Sequence, residues 1–104
     1  MKQRIHPEAA ADLREAVRWY ETQRSGLGAE LFAVVDAGVA KIAGNPQLCP
    51  RLETWTEEGD IRRLLVPRFP YVIIYEIVSD EIQVLAVAHT RRRPHYWAVR
   101  LTQF

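Results

Sequence analysis

Cysteine occurs once in the 104 residues, as Cys49, so no internal disulfide can form and no cysteine cluster can hold a metal. Its surroundings, "NPQLCPR", indicate a loop, where a thiol without an electropositive niche is inert. Lysine is nearly as scarce. Lys2 and Lys41 are the two lysines among fourteen basic side chains; the other twelve are arginine. That bias favours forked contacts with carboxylate or phosphate, and stacking on rings, over diffuse charge. No apolar run approaches the roughly 18 residues that cross a bilayer, and the opening "MKQRIHPEAA" lacks a signal-peptide core. No membrane partner is expected, and the expected location is cytoplasmic. Repeats, low-complexity segments and linkers are lacking too, so residues 1–104 are expected to form one domain.

What is present suits a globular domain: 48% hydrophobic and 26% charged residues. The net charge of +1 conceals an asymmetry. Residues 1–60 hold seven basic and ten acidic side chains (−3), and residues 61–104 hold seven basic and three acidic (+4). An electrostatic working surface therefore belongs to the second part.

Pro7 suits a first helical position, Glu8 and Asp12 complement the positive end of a helix dipole, and Leu13, Ala16, Val17 and Tyr20 recur at helical spacing. This predicts a helix over about residues 7–24, ended by the glycines of "SGLG". Leu27, Leu31, Val34, Val35, Gly38 and Ile42 form a second stripe closed by "GNP", which predicts a helix over about 28–44. So short a link makes the two an antiparallel hairpin. "KQRIH" before them is a weak strand, and residues 45–60, with two prolines and no period, form a loop. In "DIRRLLVPRF", Ile61, Arg63 and Leu65 alternate with Arg62, Leu64 and Val66; "YVIIYEIV" and "EIQVLAVAH" are apolar on both faces, with Ser79-Asp80 as a two-residue turn between them.

The resulting order is β-α-α-β-β-β with a short C-terminal helix beginning at Pro94. It is an α+β domain: an antiparallel β-sheet with an N-terminal strand, and a two-helix hairpin packed on one face. Strands apolar on both faces need cover on both, and little chain remains for the second. An apolar groove occupied by a protein partner is expected there.

Four stretches, "HPEAAADLREAVRWYETQRSGLGAELF", "IAGNPQLCPRL", "DIRRLLVPRFPYVIIYEI" and "VLAVAHTRRRPHYW", resemble in that order the RelE/ParE superfamily of type II toxin–antitoxin toxins, and within it the ParE-like plasmid-stabilisation branch. The resemblance covers nearly the whole chain. It implies a small toxin held inactive by a cognate, ParD-like antitoxin whose C-terminal segment wraps around it, with no cofactor and no metal. RelE-like members cut mRNA in the ribosomal A site; ParE-like members inhibit DNA gyrase and lack the nuclease side chains. Val72 follows Tyr71 where nucleases can carry an arginine, and Leu65 stands where they can carry a strand lysine. Neither can move a proton or stabilise an oxyanion. The expectation is thus a non-enzymatic toxin acting on DNA gyrase. The alternative is a ribosome-dependent mRNA endonuclease using Arg63, Arg92 and Tyr96, and a further one is an antitoxin-binding remnant without toxicity.

Arg91, Arg92 and Arg93, with His95 and Tyr96, are expected to contact the target; the competing reading is a solvated strand end beside aromatic residues that pack down. Trp19, Arg62, Arg63 and Arg68 are expected to contact the antitoxin, unless the arginines pair with Glu76, Asp80 and Glu81 across the sheet. Trp19 and Tyr20 occupy adjacent helical positions and cannot both face the sheet; Tyr20 fits the apolar stripe. His89 is expected to be structural and Trp97 to lie in the core, while Trp55 has no assigned role.

Overall fold

The computed structural model describes residues 1–102. Strand β1 (Lys2–Ile5) leads into helix α1 (Pro7–Gln23), followed by helix α2 (Leu27–Gly44), strands β2 (Asp60–Leu65), β3 (Tyr71–Val78) and β4 (Glu81–His89), and a 3-10 helix (Ala98–Thr102). Pro7 does open α1, and His6 caps it, its Nδ1 accepting the Glu8 N–H at 3.0 Å. At the turn between the helices Gly26 adopts φ 90°, and the Glu21 carboxylate accepts the N–H groups of Gly26 and Gly28, taking up donors that the start of α2 leaves unpaired. Gly28 sits against α1 so closely that a Cβ would stand 2.6 Å from the Val17 carbonyl oxygen.

The strands form one sheet in the order β1-β4-β3-β2. The expected antiparallel pairing holds for β2, β3 and β4, and Ser79 and Asp80 make their turn with φ of 50° and 61°. The sheet is nevertheless mixed, because β1 lies parallel to β4, from Lys2 opposite Glu81 to Ile5 opposite Val84. No hairpin joins these two strands, and the whole of α1, α2, β2 and β3 intervenes, so nothing forces them antiparallel.

Beneath the helices, Leu31, Val35 and Ile42 pack with Ile73, Tyr75, Ile82, Val84 and Val87. The opposite face gathers Ile61, Val72, Ile74, Leu85, Ala86, Ala88 and Trp97. In β4 the facing residues shift from Ile82 and Val84 to Val87, because a bulge opposite Ile74 and Tyr75 puts both Leu85 and Ala86 on the second face.

That second face is not left for a partner, as the strand pattern suggested. Leu52 and Trp55 from the long loop, and Tyr96, Ala98 and Leu101 from the tail, pack over it. The tail itself departs from the expected helix at Pro94: residues 94–97 form turns, His95 has φ 59°, and helical bonding begins only at Ala98, in 3-10 form. A left-handed residue cannot continue a right-handed helix. Gln103 and Phe104, the end of the expected helix, lie outside the described residues. The strand "DIRRLLVPRF" also stops early, at Leu65, before Pro67, Arg68 (φ 71°) and Pro70 turn the chain.

Candidate functional site

At the end of β4 the chain turns sharply. The Thr90 N–H donates to the Pro70 carbonyl at 2.8 Å, the Arg91 N–H to His89 Nδ1 at 3.0 Å, and the Arg92 N–H to the His89 carbonyl at 2.9 Å. His89 thus shapes the turn, and it rests edge-on against Tyr71. The turn leaves Arg91, Arg92 and Arg93 exposed, and the Arg92 guanidinium lies 4.0 Å from the centre of the Tyr96 ring. Arg92 and Arg93 line a cavity of about 230 Å³ together with Arg63, His89, His95 and Tyr96. His95 is held there by Thr54, whose Oγ1 is 3.1 Å from Nε2, and by edge contacts with Trp55 and Trp97. Arg63, His95 and Tyr96, from distant strand and tail, therefore meet the arginine turn at one place. Arg91 does not line the cavity.

Tyr96 is committed elsewhere by its hydroxyl. It donates to Asp12 Oδ2 at 3.0 Å, and the same carboxylate accepts from Arg100 Nη1 at 2.8 Å and from the Val87 N–H at 3.1 Å. Arg100 Nη1 also donates to the Leu85 carbonyl at 2.8 Å. These two backbone groups of β4 lie past the end of β1, where no strand continues, so an ion pair from α1 and the tail satisfies what a neighbouring strand would have. Burial, and then the Asp12 charge, push the Tyr96 phenol above its usual range; burial alone would lower the Arg100 guanidinium, and Asp12 more than offsets it. A phenol so placed holds its proton more tightly than a free one. The sequence did not announce this junction: Asp12 flanks the buried stripe of Ala9 and Ala16, and Arg100 lies in a tail that mixes apolar and polar residues.

The residues expected to meet an antitoxin separate. Trp19 is 57% exposed and borders a hollow of about 380 Å³ with Tyr20, Tyr71, His89 and Arg92. Arg68 is exposed and bonds the Glu30 carboxylate, which Arg24 also approaches at 2.9 Å; the two arginines hold that carboxyl below its usual range. Arg62 points inward, donating to Asp60 Oδ1 at 2.9 Å and to the Cys49 carbonyl. Arg63 is exposed beside the cavity. Among the described residues, the alternative pairings of these arginines with Glu76, Asp80 and Glu81 do not form; Asp60 takes Arg62 and Glu30 takes Arg68.

On the far flank of α1 lies an apolar groove of about 640 Å³ that the sequence did not reveal. Ala9, Leu13 and Val17 of α1, Phe32, Val35 and Val39 of α2, and Val84 and Val87 of β4 line it, with Ile5 at its edge. Phe32 is 52% exposed and Ile5 45%. Buried Val35, Val84 and Val87 form its floor, so the groove is a concavity and not a scatter of surface side chains. Among the described residues, no three His, Cys, Asp or Glu side chains converge where a metal ion could sit, and no helix is long and apolar enough to cross a membrane.

Comparison with known proteins bears on the fold and the family. No curated protein matches the chain. Among solved structures, a chain of the chromosomal ParDE TA system from P. aeruginosa has the same fold, with a TM-score of 0.62 at 22% identity over 86% of this chain and 95% of that one. The family model for the ParE toxin of the type II toxin-antitoxin system, parDE, matches residues 4–94, a span that runs from β1 through α1, α2 and the sheet to the arginine turn. The chain belongs to the ParE toxin family.

Proposed function

We propose that the chain is the toxin of a type II module, that a cognate ParD-like antitoxin neutralises it by seating an apolar segment in the groove between α1, α2 and β4, and that its target is DNA gyrase. The observation that carries the non-enzymatic part is the Tyr96 hydroxyl. It is tied to Asp12 and Arg100, and the neighbouring strand positions hold Val72 and Leu65. General acid–base catalysis, worth about 10²–10⁴-fold, would need a group free to exchange a proton with the substrate. Exposed Phe32 and Ile5 are the anchors for the antitoxin in the groove; Trp19 and Arg68 do not line it and meet the part of the antitoxin that wraps beyond the helices, and Arg62 acts through the backbone it holds. Arg91, Arg92, Arg93 and His95 form the surface offered to the target.

Supercoiling assays with purified gyrase test the reading. Added toxin is expected to inhibit the enzyme, and pre-mixed antitoxin to abolish the inhibition; unimpaired supercoiling at saturating toxin would remove gyrase. The ribosome-dependent nuclease remains the second reading, favoured by the convergence of Arg63, Arg92 and Tyr96 on one cavity. Primer extension on translated mRNA separates the two, since A-site cuts that vanish in Tyr96→Phe require the nuclease.

A further inference from the structure

The cavity at the arginine turn has a composition unlike the rest of the surface. Arg63, Arg92 and Arg93 line it with His89 and His95, and no aspartate or glutamate does. Among the described residues, neither Arg63 nor Arg93 has an ion pair. Guanidinium groups gathered without counter-charge repel one another, and a bound anion with several acceptor oxygens relieves that repulsion. Three further features prepare the site. Arg92 is held over the Tyr96 ring, so less of its freedom is lost when it grips a ligand. His89 accepts a hydrogen bond at Nδ1, so in its neutral form the proton is on Nε2, making that nitrogen a donor. His95 keeps its place over the cavity in a left-handed conformation, uncommon for any residue but glycine.

The cavity continues. A larger trough of about 650 Å³ shares Leu52, Thr54, Arg63, Val72 and Thr90 with it and adds Arg51, with Glu53 its one acidic residue. A lone phosphate would need only the first chamber, whereas a chain of phosphates joined by sugars that carry planar bases fits a cationic chamber opening into a trough whose apolar floor can meet the base faces. We infer that this face binds single-stranded nucleic acid through its phosphates, with the arginine cavity holding one phosphate and the trough receiving the adjoining nucleotides, and that it does so without cutting the strand. The inference rests on the geometry of the cavity and not on the identity of the toxin's target.

Fluorescence anisotropy of a labelled oligothymidylate of eight nucleotides, titrated with the full chain, tests it. Binding is expected at low salt, with a slope of log K against log salt of about −2 for three phosphates engaged. Thymidine monophosphate should displace the strand, and the labelled strand should be recovered intact. Arg63→Gln/Arg93→Gln should weaken binding at least tenfold, and Lys2→Gln/Lys41→Gln, which removes the same charge elsewhere, should change it less than twofold. Thermal melting verifies the fold of each variant. If the glutamine pair does not fold, Arg63→Lys/Arg93→Lys keeps the charge, loses the forked geometry and should still weaken binding. Equal loss in the charge-matched control, equal affinity for octaglutamate, displacement by inorganic phosphate as effective as by the nucleotide, or cleavage of the strand would each overturn the proposal. Gyrase inhibition without oligonucleotide binding would overturn it too, while leaving the proposed function intact; binding without gyrase inhibition would do the reverse.

Discussion

One face of the sheet is sealed by two regular helices, and the other by a loop and a tail. Under α1 and α2 aliphatic side chains recur at helical spacing and pack on the strands, leaving the apolar groove at one flank. On the opposite face the cover is irregular. Trp55 and Trp97 lie 5.1 Å apart, His95 bridges them, and the tail is fastened at one end by the hydrogen bonds of Asp12. A periodic cover distributes its stability over many equivalent contacts, whereas an irregular one concentrates it in a few large rings and one polar junction. The two faces should therefore fail differently, the first through volume and the second through the loss of single groups.

The largest effects are expected on the irregular face. Trp97→Ala empties a site that is only 3% exposed and should cost roughly 3–5 kcal/mol, measured by urea unfolding. Asp12→Ala should cost about 3–4 kcal/mol, because it leaves the Arg100 charge, the Tyr96 hydroxyl and the Val87 N–H buried without their acceptor. If either change costs no more than a surface substitution, the tail is not a seal. Next comes the helical face. A Cβ on Gly38 would stand 2.7 Å from Ile73 Cδ1, so Gly38→Val overpacks the interface of α2 and β3 and should cost about 1–3 kcal/mol in the same measurement.

Tyr96→Phe is expected to cost about 1–2 kcal/mol, since the ring keeps its packing and Asp12 keeps its other donors. Growth inhibition should survive in this variant. The folded state holds the phenol proton more tightly than the unfolded chain, so this contribution is complete below pH 10 and is lost as the pH climbs above it. Unfolding curves of the two proteins should accordingly converge in strong alkali. Smallest of all is Glu76→Gln. Burial, and then Asp60, raise the Glu76 carboxyl above its usual value of 4.5, so ionisation is penalised in the folded state. The penalty is present above the folded value and absent below the usual one. Glutamine should therefore stabilise by about half a kcal/mol or less at pH 7, and the advantage should vanish below about pH 4 in thermal melts.

The helices and the central strands were legible because their periods are local. Leu31, Val35, Gly38 and Ile42 declare one buried side of α2, and Ser79-Asp80 declares the hairpin. The bulge was not legible, since Leu85 and Ala86 are both apolar in a run that is apolar throughout, and a change of phase leaves no trace there. Nor was the direction of β1, whose four residues are all exposed and pair in register with β4. Half of the arginine site lay in one stretch, Arg92 to Tyr96, and could be named from it. Arg63 reaches the same cavity only through the register that sets it opposite Ile74, and Thr54 only through the course of a loop without period. Asp12 and Arg100 lie near opposite ends of the chain, and nothing in the vicinity of either announces the other.

β4 is made last among the strands, yet it sits between β1, made first, and β3. During synthesis β1 must wait, without a partner, until nearly the whole chain has emerged. The same late strand supplies the floor of the apolar groove through Val84 and Val87, and leads directly into the arginine turn. Neither surface is complete on a growing chain: the groove waits for β4, and the arginine cavity waits also for His95, Tyr96 and Trp97 of the tail. A partner that seats in the groove, as the proposed function has it, therefore finds its floor only on a chain whose last strand has docked.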